Sequence, residues 1–298
     1  MAKRKQPTVH GVVIVDKPAG VTSHDVVGAL RRIYGERRIG HGGTLDPAAT
    51  GVLVVGVGWA TRLLNYFQHD TKRYTGTVTF GTATDTLDAE GQVTETISDA
   101  PYEASAVTSV LSRFTGPINQ TPPMVSAIRV DGERLYEKAR RGEVVERDAR
   151  PVTIHRLEMI DFFDGPPPRA ILDVTCSAGT YIRVLAADIG EALGGCAHLS
   201  ALRRTEASGF GLDRALDLDQ IQSDPSSALL SAEDAVQHME TVEVSPELAV
   251  RLRHGQRLPL DSVGAVGGVC AVLMEGEFVG MAEPKGSVLA PLMIWPST

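Results

Sequence analysis

No apolar run in the chain approaches the roughly 20 residues that span a bilayer. No hydrophobic stretch follows the basic start, Met1-Ala2-Lys3-Arg4-Lys5-Gln6, as a secretory signal requires. Cysteine is scarce: Cys176, Cys196 and Cys270 are an odd number without paired ligand spacing. That excludes a disulfide framework, argues against a zinc site and leaves reduced thiols in a cytoplasmic protein as the economical reading. No Lys lies between Gly40 and Gly51, so the glycine-rich stretch there is not a phosphate-cradling P-loop. We find no internal repeat.

What stands in that stretch organises the rest. Gly40-His41-Gly42-Gly43-Thr44-Leu45-Asp46-Pro47-Ala48-Ala49-Thr50-Gly51 holds four glycines in twelve residues, a backbone free to approach a ligand closely. Pro47 fixes its own φ and biases Asp46 toward an extended conformation. The apolar run Val52-Leu53-Val54-Val55-Gly56-Val57 follows and reads as a buried strand. One carboxylate is thus held on a stiff turn at the mouth of a core strand. The plain alternative is a tight turn without chemistry. A nucleotidylyltransferase loop is a further alternative, weakened because Ala48, Ala49, Thr50 and Gly51 stand where a His-x-Gly-His pair would follow.

The formal net charge of −8 is unevenly spread. Residues 1–80 hold 11 Lys/Arg against 5 Asp/Glu, and residues 81–298 hold 18 against 32. Local clusters (Arg31-Arg32, Arg37-Arg38, Lys138 with Arg140-Arg141, Arg203-Arg204, and Arg251/Arg253/Arg257) add to a basic face suited to a polyanion.

Along the chain, Val12–Val15 is a strand, and Ser23 is placed to cap a helix from about His24 to Tyr34, stopped by Gly35. A short helix near Arg62–Phe67 leads to Lys72–Phe80, where Tyr74, Val78 and Phe80 alternate with threonines as in a half-buried strand. Gly81–Gly91, rich in Thr and Asp, reads as an exposed loop. A helix over Ala104–Phe114, a strand over Met124–Val130, a helix from about Glu133 to Arg141, strands near Val152–Phe162 and Ala170–Cys176, a helix over Thr180–Leu193 and a strand over His198–Thr205 follow. The acidic stretch Asp213–Asp234 reads as a linker. Beyond Met239 come a short strand at Val242–Val244, a helix from Pro246 to about Arg253 and strands around Cys270–Leu273, Glu277–Met281 and Val288–Ile294. Mixed elements without strict βαβ alternation predict an α/β or α+β fold with a mixed sheet.

Six blocks, in order, resemble motifs of the TruB-type tRNA pseudouridine synthases: Asp16-Lys17-Pro18-Ala19-Gly20-Val21-Thr22-Ser23-His24; Gly40 to Pro47; Lys72-Arg73-Tyr74; Gln120-Thr121-Pro122-Pro123-Met124-Val125-Ser126-Ala127; Leu135 to Gly142; and Gly179-Thr180-Tyr181-Ile182-Arg183. Gly42, Val125 and Arg129 depart from the Thr, Tyr and Lys common in that family. The resemblance implies the pseudouridine synthase fold over residues 1–236, a mixed central sheet with flanking helices. It also implies a small β-rich, PUA-like RNA-binding domain over 237–298. Conversion of the T-loop uridine of tRNA, conventionally position 55, to pseudouridine is implied, without cofactor or metal. The likeness is to the stand-alone bacterial type: a cytoplasmic monomer that takes the T arm of tRNA, needs no obligatory protein partner and binds no membrane.

Carried over by position, Asp46 matches the catalytic aspartate, Tyr74 the tyrosine packed on the target base and Arg183 the arginine paired with the aspartate. His41 matches the histidine that helps hold the splayed loop, while Tyr181, Leu202 and Lys17 line the uridine pocket or support the catalytic loop. The residues agree with these roles. Exchange of a C–N for a C–C glycosidic bond without an outside reactant needs an ionised carboxylate near sugar and base. Three routes stay open to it: attack on the sugar carbon, attack on the base, or action as a base at the sugar. Arg183, in the first turn of its predicted helix where the dipole disfavours a cation, calls for an anion partner; a guanidinium beside Asp46 would hold its pKa below the ordinary range. A tyrosine at position 74 would otherwise be plain core, and Arg183 a surface residue. The rival of another class is a non-catalytic RNA-binding or chaperone module working through the C-terminal unit.

Overall fold

The computed structural model describes residues 6–67, 71–126, 128–130, 132–143 and 145–296. The first part runs β1 (Gly11–Lys17), α1 (Ser23–Tyr34), β2 (Ile39–His41), β3 (Thr50–Val57), α2 (Leu64–Phe67), β4 (Lys72–Phe80), β5 (Thr82–Thr84) and β6 (Val93–Thr96). It continues through α3 (Ala104–Leu111), β7 (Gly116–Gln120), β8 (Arg129–Val130), β9 (Glu133–Arg134), α4 (Leu135–Arg140), β10 (Arg150–Phe163), β11 (Arg169–Cys176), α5 (Ile182–Ala192) and β12 (Ala197–Ala207). β13 (Phe210–Gly211), α6 (Leu218–Ser223) and α7 (Ala232–Val236) lead to β14 (Thr241–Glu243), α8 (Pro246–Arg253), β15 (Leu258–Pro259), β16 (Cys270–Met274), β17 (Glu277–Lys285) and β18 (Val288–Ile294).

A nine-stranded sheet follows the path β1-β3-β12-β4-β11-β10-β7, with β2 on β3 and β13 on β12. Its pairings are antiparallel except β3 with β12, which run parallel, so the sheet is mixed, as its element pattern predicts. β3, apolar along its length, is buried from Gly51 to Val57 between β1 and β12. The parallel pairing sets Gly51 opposite Arg204 at φ +101°, where a Cβ would lie 2.1 Å from the Arg204 carbonyl oxygen. Only glycine lets the two strands come that close. β4 buries Tyr74, Val78 and Phe80 on one face, against α3 and α5.

The five-stranded sheet, β14-β16-β17-β18-β15, accounts for the second set of expected strands. It docks on the first without an exposed tether: Val12, Val54, Phe67, Phe210 and Val236 share one apolar cluster with Ala271, Phe278, Met281 and Met293. At the seam Trp59 lies under the guanidinium of Arg38, 4.7 Å from the ring centroid, and near Arg62. Arg62 donates to the Ile294 carbonyl, and Trp295 meets His10 and Phe278 edge-on.

Five local expectations are corrected. The cap of α1 is Thr22, not Ser23: Thr22 and Asp25 exchange hydrogen bonds in a capping box. Residues 81–91 are not simply exposed loop, since β5 pairs with β6 and Ala89 and Leu87 bond to Leu199. Of the strand expected over Met124–Val130, Met124–Ser126 form a bend and only Arg129–Val130 are extended; Ala127 lies outside the described residues. Glu133 and Arg134, placed in a helix by sequence, pair as β9 with β8, and the helix starts at Leu135; the turn residue Asp131 lies outside the described residues. Finally, the acidic stretch is no linker. Leu230 bonds with Val12 and Leu216 with Ile14 and Asp16, while Ile221 and Ala228 join the core under α1. Its carboxylates face solvent and its sparse apolar residues face inward, so average composition hid the packing.

Candidate active site

The turn between β2 and β3 is gripped from three directions. Ser23, freed from capping, accepts from Leu45 N at 2.9 Å and donates to Leu45 O at 3.1 Å. Lys17, with 0% exposure, donates through Nζ to the carbonyls of Pro18, Val21 and Pro47 at 2.9, 2.7 and 3.1 Å. Arg204, 2% exposed, donates to Val52 O at 2.6 Å, Gly43 O at 3.1 Å and Thr44 O at 3.5 Å. Two buried cations therefore hold the backbone on either side of Asp46.

The carboxylate so placed faces Arg183. Arg183 Nε lies 3.2 Å from Asp46 Oδ2, and Nη1 lies 3.0 Å from Asp88 Oδ2. Nη1 also donates to Thr86 O and Nη2 to Val125 O, at 3.2 and 2.9 Å. The anion expected beside a first-turn cation is present twice over. Gln120 fixes Tyr181, two residues before Arg183, accepting from Tyr181 N at 3.0 Å and donating to Tyr181 O at 3.3 Å.

A cavity of about 520 Å³ opens in front of this group, lined by His41, Asp46, Tyr74, Tyr181, Arg183 and Leu202. Six of the seven residues named from sequence thus share one wall system. The seventh, Lys17, is not on the wall but behind the turn. Lys72, Ser126 and Arg204 complete the lining. Sequence reasoning names Ser23 only as a helix cap and does not single out Lys72, Asp88, Gln120 or Arg204 individually. Gln120 lay in a motif block; Asp88 had no signal beyond its Thr/Asp-rich surroundings. The paired arginines 203 and 204 looked like a phosphate patch, but Arg203 pairs with Asp16 at 2.7 Å and Arg204 is buried.

Charge states follow from burial. Asp46 is not held below the ordinary carboxylate range. Burial raises its pKa and outweighs the opposing pull of Arg183, with Asp88 adding to the rise. Burial likewise raises the Tyr74 phenol, against the nearby Arg204 charge, so the hydroxyl stays protonated at neutral pH. His41 is lowered by burial and then by Arg204, and its Nδ1 accepts from Gly43 N at 3.4 Å. It is a neutral imidazole with its donor on Nε2 at pH 7. The site can present one polarised carboxylate, an aromatic face and an apolar flank to a small planar group. Among the described residues no group of three or more His, Cys, Asp or Glu side chains gathers as a metal site.

Comparison with known proteins agrees along nearly the whole chain. Residues 31–182 match the model of the TruB family pseudouridylate synthase (N terminal domain). Residues 183–241 match the tRNA pseudouridylate synthase B C-terminal domain, and 241–294 the Pseudouridine synthase II TruB, C-terminal model. A tRNA pseudouridine synthase B of Corynebacterium aurimucosum is 45% identical over 295 residues, covering 97% of each chain. The protein of that name from Thermobifida fusca is 43% identical, covering 96% of this chain and 98% of its own. Among solved structures, one described as an H/ACA RNP bound to a substrate RNA containing 2'-deoxyuridine shares the fold with TM-score 0.74 and 23% identity. It matches 96% of this chain and 85% of that chain. A Cbf5-Nop10-Gar1 complex aligns with TM-score 0.73 and 26% identity over the same shares.

Proposed function

The chain belongs to the TruB family of pseudouridylate synthases, and from that footing we propose that it isomerises the T-loop uridine of tRNA to pseudouridine with Asp46 as the essential group. The reaction is an intramolecular transfer within tRNA: the N1 bond from uracil to ribose is broken and a C5 bond takes its place. The observation that carries the assignment of Asp46 is its carboxylate on the cavity wall, 3.2 Å from Arg183.

The cavity residues divide the work. Asp46 acts ionised, at the sugar or at the base, and Arg183 keeps that charge in place while Asp88 keeps Arg183 in place. Tyr74 packs on the extruded uracil, a contact worth roughly 1–3 kcal/mol, which offsets part of the few kcal/mol needed to turn a loop base out. Leu202 and Tyr181 confine the detached ring while it rotates to present C5. His41, neutral and beside the turn, supports the opened RNA loop, and Lys17 holds the turn itself. Residues 1–236 form the catalytic unit and 237–298 a PUA-like unit for RNA. The protein works on tRNA as a monomer in the cytoplasm, without a protein partner; no helix among the described residues is long and apolar enough to cross a membrane.

The test uses an unmodified tRNA transcript with wild-type protein and with Asp46→Asn, in EDTA and without nucleotides. Pseudouridine is then mapped along the RNA. Product at one T-loop uridine from the wild type alone, with tRNA bound by both, is the expected result. Turnover by Asp46→Asn would remove the aspartate from its role. Binding without product from either protein would make the chain an RNA-binding module.

A further inference from the structure

Several arginines on the surface stand beside carboxylates: Arg73 by Asp173, Arg141 by Glu133 and Glu143, Arg156 by Glu158, and Arg203 by Asp16. A group near the head of β2 does not. Arg31, Arg37, Arg38 and Arg62 have no carboxylate among the described residues within ion-pair distance. Acidic residues outnumber basic ones in this chain, so an edge left this basic departs from the rest of the surface. The path of the chain gathers it. Arg31, in the last turn of α1, reaches Ile39 O of β2 from Nη2 at 3.4 Å. Arg32 comes two residues after the buried Leu30 and, at about 100° per residue, lies on the far side of α1.

Arg37 and Arg38 lead into β2, and Arg37 is exposed. Arg38 stacks on Trp59 and donates from Nε to Thr61 Oγ1 at 3.0 Å; Arg62 flanks the same indole and donates to Ile294 O at 3.2 Å. These contacts fix both guanidinium groups, leave their charges standing and leave most of their five N–H donors over. Glu36, the carboxylate of the turn, accepts from the backbone N of Arg38. The edge runs into the cavity: β2 ends at His41 on the cavity wall, about 10 Å along the strand from Arg38. β2 pairs only with β3 among the described strands, so its outer edge is open. An RNA with one uridine in the cavity has to lead its neighbouring phosphates out over the rim. Guanidinium forks suit phosphate oxygens, and such contacts set the path of the strand without reading its sequence.

We propose that Arg31, Arg37 and Arg38 form a track for the phosphates of the RNA strand adjoining the extruded uridine, running from the cavity rim at His41 along the outer edge of β2. Arg37 makes a direct contact; Arg62 keeps its carbonyl and adds its field. The inference rests on the RNA-isomerase reading of the cavity and goes further by giving the path of the strand outside it.

The test measures binding across a salt series, with a T-arm stem-loop and with a full-length tRNA transcript, for wild type, Arg37→Gln, Arg37→Lys and Arg32→Gln. On the stem-loop, Arg37→Gln weakens binding about tenfold, the size of one charge-assisted hydrogen bond, and lowers the slope of log Kd against log salt by roughly 0.7–0.9. Its kcat at saturating RNA is unchanged. Arg37→Lys keeps the slope. Arg32→Gln removes the same charge from the other side of α1 and leaves the slope as in the wild type. An equal loss from Arg32→Gln would reduce the effect to net charge and overturn the track. So would an unchanged slope for Arg37→Gln, or a loss seen with whole tRNA and absent from the stem-loop, which would put another arm of tRNA on this edge. If Arg37→Gln fails to fold, Arg31→Gln decides on the same terms. Pseudouridine assayed on the same stem-loop separates the two readings: product with the slope untouched would strike the track alone, and absence of product from the wild type would strike the isomerase reading beneath it.

Discussion

The buried polar and charged side chains among the described residues run from Lys17 to Ser208, all in the part of the chain built on the nine-stranded sheet. The five-stranded sheet is closed instead by Val242, Leu252, Val272, Val279 and Leu289, with no buried charged residue in its core. The difference separates two uses of an interior. An apolar core gains from every atom it removes from water. A buried Lys or Arg held by carbonyls rarely improves on a well-packed hydrophobe for stability. In the first sheet these cations secure a particular path for the turn that carries Asp46, and the protein gives up some stability to keep it.

That contrast can be broken by substitution, beginning with the largest effect. Phe278→Ala, in the apolar sheet, should cost about 3–5 kcal/mol in unfolding experiments while leaving kcat per folded molecule unchanged; a matching fall in kcat would mean that the second sheet shapes the chemistry. Lys17→Met keeps the bulk and leaves the Pro18, Val21 and Pro47 carbonyls without their donor. It should cost about 1–3 kcal/mol and lower kcat more than it raises KM. An unchanged kcat would reduce Lys17 to an ordinary core residue.

The pH profile sharpens the same point. Asp46 acts ionised and its pKa is raised, so kcat/KM should fall on acidification at a pH above that of an exposed aspartate. Asp88 contributes to the rise, and Asp88→Asn should move that acid limb to lower pH while the neutral-pH rate falls. A limb moved upward would contradict the assignment. The smallest effect belongs to Arg203, whose pair with Asp16 is half-buried and still open to water: Arg203→Ala should cost only about 0.2–1 kcal/mol in thermal stability. A loss as large as that of Lys17→Met would erase the distinction between neighbouring positions 203 and 204.

Legibility in the sequence divides along the same line. Strands such as Val12–Val15, Lys72–Phe80 and Glu277–Met281 announce themselves by period and apolar content, which are local properties. Asp46, Tyr74 and Arg183 were reachable through motif blocks, and the structure brings them to one cavity. What supports them was not legible, because it is made at a distance. Ser23 reaches Leu45 across 22 residues, Lys17 reaches Pro47 across 30, and Arg204 reaches Gly43 across 161. No window of sequence joins such pairs. Composition misled in two places for a related reason: the Thr/Asp-rich 81–91 stretch conceals Asp88, and the acidic 213–234 stretch conceals Ile221, since an average over a segment cannot say which of its residues turn inward. The sign of the Asp46 shift was misjudged because Arg183 is named by a motif, whereas desolvation is a property of the assembled pocket.

The placement of the two tryptophans has a practical consequence. Trp59 sits beneath Arg38 and beside Arg62, and Trp295 is wedged between His10 and Phe278, so both indoles stand where the two sheets meet. With red-edge excitation that leaves the tyrosines dark, the protein's native emission becomes an optical gauge of that junction. If the halves part when RNA is taken up, Trp295 loses His10 while Trp59 keeps both its arginines, so the red shift comes from the one indole; if they hold, the spectrum stays still, and no dye need be attached to tell the two apart.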